Sequence, residues 1–457
     1  MKKSNLLFYL LISLCFVSCK TEKSVSNEVW LKGKLVNWGN ASKVLSAQNL
    51  EADFGLGKDI IIKTNQDNEF DIRFELNEPT YYSLGRNKLY LSPGDELELE
   101  VDYKDPEAAV FNGTNAAWQV YLAGVAFPKS GSYLEGGRNL KSADVAETVA
   151  LAQSKTEERK QQLQALQTSS EFKALEEMRL KLDYLNTLLS MPVYGSFKDY
   201  WEYSEVKKAE ILAQIKDELN EMSQGLMKNE YMKHPNFRDM LHELVAANLK
   251  EVGIFTHLEF TPFMAEYDEM GAFVTQLELN GLTNEMQVQA KEFLAADHAL
   301  DYKEMVNAKL KEYTALKAGE PAFDVLFKNA LGEEKPLSDF KGQLTYVDLW
   351  ATWCGPCIAE LPAFEQLKED YKDKPVHFVP VSIDTDLEAW QKYLEKHDLP
   401  KDKEYVINRL DLSDYKVITI PRYLLLDKDF NIITVFATVP SDPETRKIID
   451  QYLEISE

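Results

Sequence analysis

The stretch Val347-Asp348-Leu349-Trp350-Ala351-Thr352-Trp353-Cys354-Gly355-Pro356-Cys357 decides how the C-terminal third of this 457-residue chain folds. The run from Leu344 to Trp350 is apolar and has the length of a buried strand. It leads into two cysteines three residues apart, and Ile358 to Tyr371 beyond them reads as a helix. Pro356 suits the first turn of that helix, where the N–H that proline lacks has no helical partner. A cysteine at such a helix start lies over unsatisfied backbone N–H groups and the positive end of the helix dipole, and both favour its thiolate. Cys357, turned inward, is placed to attack a mixed disulfide held on Cys354. The pair can close a small-ring disulfide and open it again.

Outward from this stretch the pattern alternates strand and helix. Gly319-Glu320-Pro321 opens the unit, and Ala322 to Leu326 reads as its first strand. Val376 to Ile383 is a strand, Leu387 to Lys396 a helix, and Tyr423–Asp427 with Ile432–Ala437 a hairpin; a helix from Pro443 to Ile455 closes the chain. This is an α/β layer fold with right-handed crossovers. Ahead of it, Glu28 to Val110 carries short alternating runs (Val29–Leu31, Ile60–Ile62, Phe70–Phe74, Leu97–Val101) with turns at Asn37–Asn40, Asn65–Asn68 and Ser92–Asp95, which predicts an antiparallel, sandwich-like β domain. From Asn115 to Leu316 the period is helical, with breakers at Met191-Pro192, Tyr194-Gly195 and Thr261-Pro262. The leucine-rich run Lys155–Leu189 is read as intramolecular helix rather than coiled coil. The predicted fold class is multidomain α+β: β-rich over 28–112, helical over 113–317, α/β over 318–457.

The formal net charge of −24 disfavours binding to nucleic acid, because carboxylates repel a phosphate backbone. Lys2 and Lys3 precede an apolar run from Leu6 to Val17, shorter than the ~20 residues that span a bilayer, so residues 1–18 read as a signal peptide. Phe16-Val17-Ser18-Cys19 resembles the lipobox of bacterial lipoproteins. That resemblance implies a lipid on Cys19, a linker over 19–27, and, with Lys20 following, an outer-membrane location facing the periplasm. Of four cysteines, Cys15 then leaves with the signal and Cys19 is blocked, so only Cys354 and Cys357 remain for redox chemistry.

With those residues in view, Val347 to Cys357 resembles the active-site strand and turn of the thioredoxins. Gly319-Glu320-Pro321-Ala322-Phe323, Leu337 to Gly342 and Glu360 are similar to the membrane-anchored TlpA/ResA type. The segment Leu89 to Asp95 resembles the β-rich domain that precedes thioredoxin domains in Bacteroidetes lipoproteins. The resemblance implies a thioredoxin-like fold and a thiol-disulfide oxidoreductase with a redox-active disulfide and no cofactor. It also implies catalytic roles for Cys354, Cys357, Asp348 (a buried acid of raised pKa that takes the proton of Cys357) and Glu360 (a tuner of the thiols). Trp353, Ile420 and a cis Pro421 would meet substrate, and Arg422 would bias the partner toward acidic segments. Gly355-Pro356 is thioredoxin's own pair, whose potential of about −270 mV, against about −120 mV for a strong oxidant, points to a reductase. The expected partners are cysteine-containing exported proteins, an upstream membrane thiol donor and the membrane itself.

Other chemistries fit less well. Haem attachment needs histidine after the pair, where Ile358 stands. A zinc site would need His377 and His397 brought to the cysteines, so no metal is expected. His242-Glu243 begins like a zincin helix, but Ala246 ends that match. A peroxiredoxin needs proline and threonine at other offsets before Cys354. The remaining rival is an envelope binding lipoprotein whose β-rich and helical parts recognise a partner, with the thioredoxin unit as an accessory.

Overall fold

Alternation along the chain builds the N-terminal region. The computed structural model describes residues 27–125, 131–197, 205–296 and 300–456; the expected signal peptide, Cys19 and most of the linker lie outside the described residues. Eight strands follow: β1 (Glu28–Val36), β2 (Val44–Ala47), β3 (Ile60–Ile61), β4 (Glu69–Glu75), β5 (Thr80–Leu84), β6 (Asn87–Leu91), β7 (Glu96–Asp102) and β8 (Val110–Gly113). In β7 the leucines and Val101 are buried while the intervening glutamates are exposed, as a pleated strand with one covered face requires. The strands form two four-stranded sheets, ordered β4-β1-β7-β8 and β3-β2-β5-β6. Leu31, Leu97 and Leu99 of the first share one apolar cluster with Leu45 and Leu84 of the second, which is face-to-face sandwich packing. One pair departs from the antiparallel expectation. β1 and β7 run parallel, because the chain between them crosses to build the second sheet before returning.

The middle region is helical. The leucine-rich run is two helices, Val145–Ala165 and Ser170–Phe197, packed on each other. The polar stretch around Ser169 separates them, and the Ser169 hydroxyl accepts the Phe172 N–H to start the second. Met191-Pro192, expected to end a helix, lies inside it: buried Leu188 and Met191 keep that face packed through the proline. Further helices run over Pro235–Val245, Ala247–Glu251, Asn284–Ala295 and Leu300–Thr314.

The C-terminal region holds β9 (Leu326–Asn329), β10 (Glu334–Pro336), β11 (Leu344–Trp350), β12 (Val376–Ser382), β13 (Tyr405–Val406), β14 (Arg422–Leu426) and β15 (Ile432–Ala437). They make one sheet, ordered β10-β9-β13-β12-β11-β14-β15, with β13, β12 and β11 parallel. The first strand starts later than the sequence suggests. Ala322 to Val325 runs past the hairpin instead, with Ala322 N–H bonded to the Phe430 carbonyl and Pro321 bridged to Asn431. β11 is an interior strand, between β12 and β14, and all seven of its residues are buried. On one face Tyr346 packs with Phe364, Leu367 and Ile449 of the flanking helices. Val347 and Leu349 join Val379, Val381 and Trp390, in a cluster that also contains Met270, Phe273 and Leu277 of the helix Pro262–Asn280. The last helices of the middle region therefore share their core with this sheet. Each such buried aliphatic side chain contributes about 1.5–3 kcal/mol over its exposed state.

Candidate active site

Strand β11 ends at Trp350, and the chain turns through Ala351–Trp353 into the helix Gly355–Asp370. Cys354 is the N-cap of that helix, in extended backbone geometry, and its Sγ accepts the Cys357 N–H at 3.2 Å. The capping sulfur sits where a helix N-terminus favours negative charge, so the thiolate form of Cys354 is the stabilised one. Cys354 and Cys357 are joined as a disulfide, with Cα atoms 5.3 Å apart. Both cysteines are buried, Cys354 with 5% of its surface exposed and Cys357 with 1%, so Cys354 is the outer residue of the pair. Trp353 beside it is 64% exposed, a large indole presented to solvent at the mouth of the site.

The turn is clamped from the next strand. Asp384, just beyond β12, is buried and accepts both the backbone N–H of Thr352 (2.9 Å) and its hydroxyl (2.7 Å), while Ser382 Oγ donates to the same carboxylate at 2.7 Å. Sequence reasoning missed Asp384. Its signal was a carboxylate just past a buried strand; Thr352, 32 residues upstream, is brought to it by the β11–β12 pairing.

Asp348 is 2% exposed, and its Oδ1 has no hydrogen-bond partner among the described residues. It shares a sheet face with Tyr346, whose ring lies 6.3 Å from Phe364 of the cysteine helix, so its carboxyl points beneath that helix. Burial, with the Glu360 charge as the second cause, pushes its pKa up to about 8. Glu404 is a second buried acid that the sequence concealed within the charged run Lys401–Glu404. Register puts it on the row of Pro380 and Asp348, and burial raises it to about 8 as well.

Glu360 lies one turn beyond Cys357, but its carboxylate is engaged elsewhere, accepting Ser441 N–H at 3.0 Å and Ser441 Oγ at 2.8 Å. It reaches the site through its charge on Asp348. The Ile420–Pro421 peptide is cis. Leu349 pairs with Arg422, which sets Pro421 at the same end of the sheet from which the cysteine turn leaves. Arg422 corrects an expectation. It is buried, donates to the Glu278 carbonyl at 3.0 Å and stacks on Phe436 at 4.1 Å, so it holds the middle helices and does not face a partner.

Comparison with known proteins matches the Redoxin family model to residues 317–453. Over 145 residues the chain is 30% identical to the thiol-disulfide oxidoreductase ResA of Geobacillus kaustophilus, covering 31% of this chain and 80% of that one. Over 148 residues it is 30% identical to the thioredoxin-like protein YneN of Bacillus subtilis, covering 32% and 84% respectively. Among solved structures, one assigned to the thiol-disulfide oxidoreductases of Bacteroides vulgatus is 42% identical, covering 31% of this chain and 99% of the other at a TM-score of 0.30. The family match falls in the last third of the chain, and each relative covers a share of about that size.

Proposed function

We propose, from the premise that this chain belongs through its C-terminal third to the TlpA/ResA-like thiol-disulfide oxidoreductases of the thioredoxin family, that it reduces disulfides of exported proteins at the cell envelope. The observation that carries the reading is the Cys354–Cys357 pair at a helix start, its outer sulfur capped by the Cys357 N–H and its approach strand holding the buried acid Asp348.

In the reduced enzyme the Cys354 thiolate attacks one sulfur of a substrate disulfide. A mixed disulfide forms, and the other substrate sulfur leaves as a thiolate that takes up a proton. Ionised Asp348 then accepts the proton of the Cys357 thiol, and the resulting thiolate attacks Cys354 Sγ. The mixed disulfide breaks, the second substrate thiol departs, and two electrons have passed from the pair to the substrate. An upstream membrane dithiol reverses the exchange and restores the pair. Trp353 and the backbone at Ile420, ahead of Pro421, bind the substrate chain. The signal-like segment and Cys19 support a lipid anchor that holds the enzyme at the outer membrane, facing the periplasm.

Insulin-disulfide reduction by the purified chain with dithiothreitol as donor tests this. The wild type should accelerate precipitation of the insulin B chain and Cys354→Ser should fall to the uncatalysed rate. Equal rates for the two would refute the assignment.

A further inference from the structure

The N-terminal β region is joined to the redox unit at one particular place. Asn40 N–H donates to the Thr385 carbonyl at 3.0 Å, and Asn408 Nδ2 donates to the Asn40 carbonyl at 2.7 Å. Ser42 Oγ donates to Asn408 Oδ1 at 2.8 Å, and the Asn40 amide reaches the Asp384 and Ile407 carbonyls at 3.4 Å. Asp384 is the residue that clamps the Thr352 turn ahead of Cys354. The β region is therefore fixed to the segment that positions the reactive cysteine.

Beside this junction lies a cleft of about 510 Å³. One wall is the outer face of the second β sheet and its neighbours, including Ser46, Ser83, Asp59 and Tyr103; the other carries Trp353 and Arg409 of the redox unit. Ser46 and Ser83 are cross-strand partners on β2 and β5, on the opposite face from Leu45 and Leu84 of the sandwich core. Arg409 donates to the Val417 carbonyl at 3.2 Å and also to that of Ile418, just ahead of the cis Ile420–Pro421 peptide. The cleft is thus lined by the indole next to Cys354 and by Arg409, the side chain that ties it to the segment leading to Pro421.

We infer that the β region is the fixed outer wall of the substrate cleft, and that the enzyme takes disulfides carried on extended polypeptide segments threaded between β2–β5 and Trp353. This deepens the function proposed above and rests on it for the identity of the chemistry. Three features select an extended chain. The cleft has the volume of a site for a few residues, not of a docking face for a folded protein. Its lining mixes serine hydroxyls with two aromatic rings, which suit a peptide backbone and its side chains. It also sets a carboxylate, Asp59, on one wall and a guanidinium, Arg409, on the other, each held in place by hydrogen bonds to its own wall, so the cleft carries charge of both signs.

The test separates binding from chemistry. A short, unstructured, fluorescein-labelled peptide closed by one disulfide is titrated with the full chain in which both Cys354 and Cys357 are serine, and anisotropy is followed. Ser46→Trp, which fills the cleft, should weaken binding at least tenfold, and Tyr103→Ala, which removes one wall ring without adding bulk, several-fold. In chains with both cysteines, the kcat/KM ratio for this peptide over oxidised glutathione should fall by the same factors. Unaltered peptide binding in both variants would overturn the cleft even if insulin reduction depends on Cys354. Weakened binding in a chain that reduces no disulfide would leave the cleft standing and remove the redox reading instead.

Discussion

Two buried carboxylates in this molecule, Glu176 and Asp348, are held in opposite ways. Between the second β sheet and the middle helices, Glu176 is fully buried yet accepts the Tyr81 hydroxyl at 2.7 Å and His234 Nε2 at 3.3 Å. Burial alone would raise it, but the His234 hydrogen bond, the Arg179 charge and the Tyr81 hydroxyl together hold it below the ordinary carboxylate range. Burial pushes His234 down to about 4, and its Nδ1 accepts the Asn236 N–H, so the neutral ring donates from Nε2. Each has one oxygen without a hydrogen-bond partner among the described residues, Oε2 of Glu176 and Oδ1 of Asp348. For Asp348 in the redox sheet, however, burial is joined by the Glu360 charge and not by a cation, and its pKa rises to about 8. Burial is common to both; for Glu176 the hydrogen bonds and the Arg179 charge outweigh it, whereas Asp183, ion-paired with the same Arg179, is still raised by burial to about 6. A partnered carboxylate is a fixed charge that joins two regions, whereas an unpartnered one near physiological pH is able to exchange a proton.

The largest effect should come from breaking the partnered group. Glu176→Gln removes the buried charge that accepts from Tyr81 and His234. It also removes one of the two carboxylates whose charge favours Arg179, the ion-paired Asp183 remaining, and should cost about 2–4 kcal/mol of stability in urea unfolding. Insulin reduction below the unfolding transition should be unaltered. A parallel loss of activity in the folded variant would join the two groups that the comparison keeps apart.

Asp348→Asn should slow release of the mixed disulfide by roughly 10–100-fold, measured by stopped flow, because the group that receives the Cys357 proton is gone. The wild-type rate should rise through a midpoint near pH 8, and the variant should lack that rise. The same substitution carries a stability signature. Folded Asp348 keeps its proton to about pH 8, while the unfolded carboxyl loses it near its ordinary value of 3.8. The folded state binds more protons across that window, so stability falls as pH rises through it, and Asp348→Asn should flatten this slope. Glu176 contributes the reverse: its stabilisation is present above the ordinary carboxylate range and is lost as pH falls below it.

The smallest effect is reserved for Glu360→Gln. Burial is the first cause of the Asp348 shift and the Glu360 charge only the second, so the pH midpoint should move down by a fraction of a unit. The Ser441 contact should survive through the amide oxygen. An unshifted midpoint would confine Glu360 to holding Ser441.

What the sequence disclosed follows from how locally each feature is determined. The cysteine pair, its proline, the leading strand and Asp348 are contiguous, and helix-start chemistry constrains them within a dozen residues. The β, helical and α/β regions were legible because their hydrophobic periods differ. Long-range pairing was not legible. Asp384 reaches Thr352 across 32 residues through β11–β12 pairing, and Arg422 finds its acceptor 144 residues upstream, so its charge was misread as a partner contact. Glu404 stands in a run of charged residues that reads as solvated surface, and only the register of β13 against β12 buries it. The parallel β1–β7 pair was hidden for the same reason: alternation reveals a strand's faces but not its neighbours.

The most direct test of the central claim is the trapped intermediate. Cys357→Ser should accumulate a substrate joined to Cys354 as a mixed disulfide, seen by non-reducing electrophoresis of envelope extracts and located by mass spectrometry, and the adduct should vanish when Cys354→Ser is added. Adducts that persist without Cys354, or a Cys357→Ser chain that forms none with exported proteins, would contradict the account.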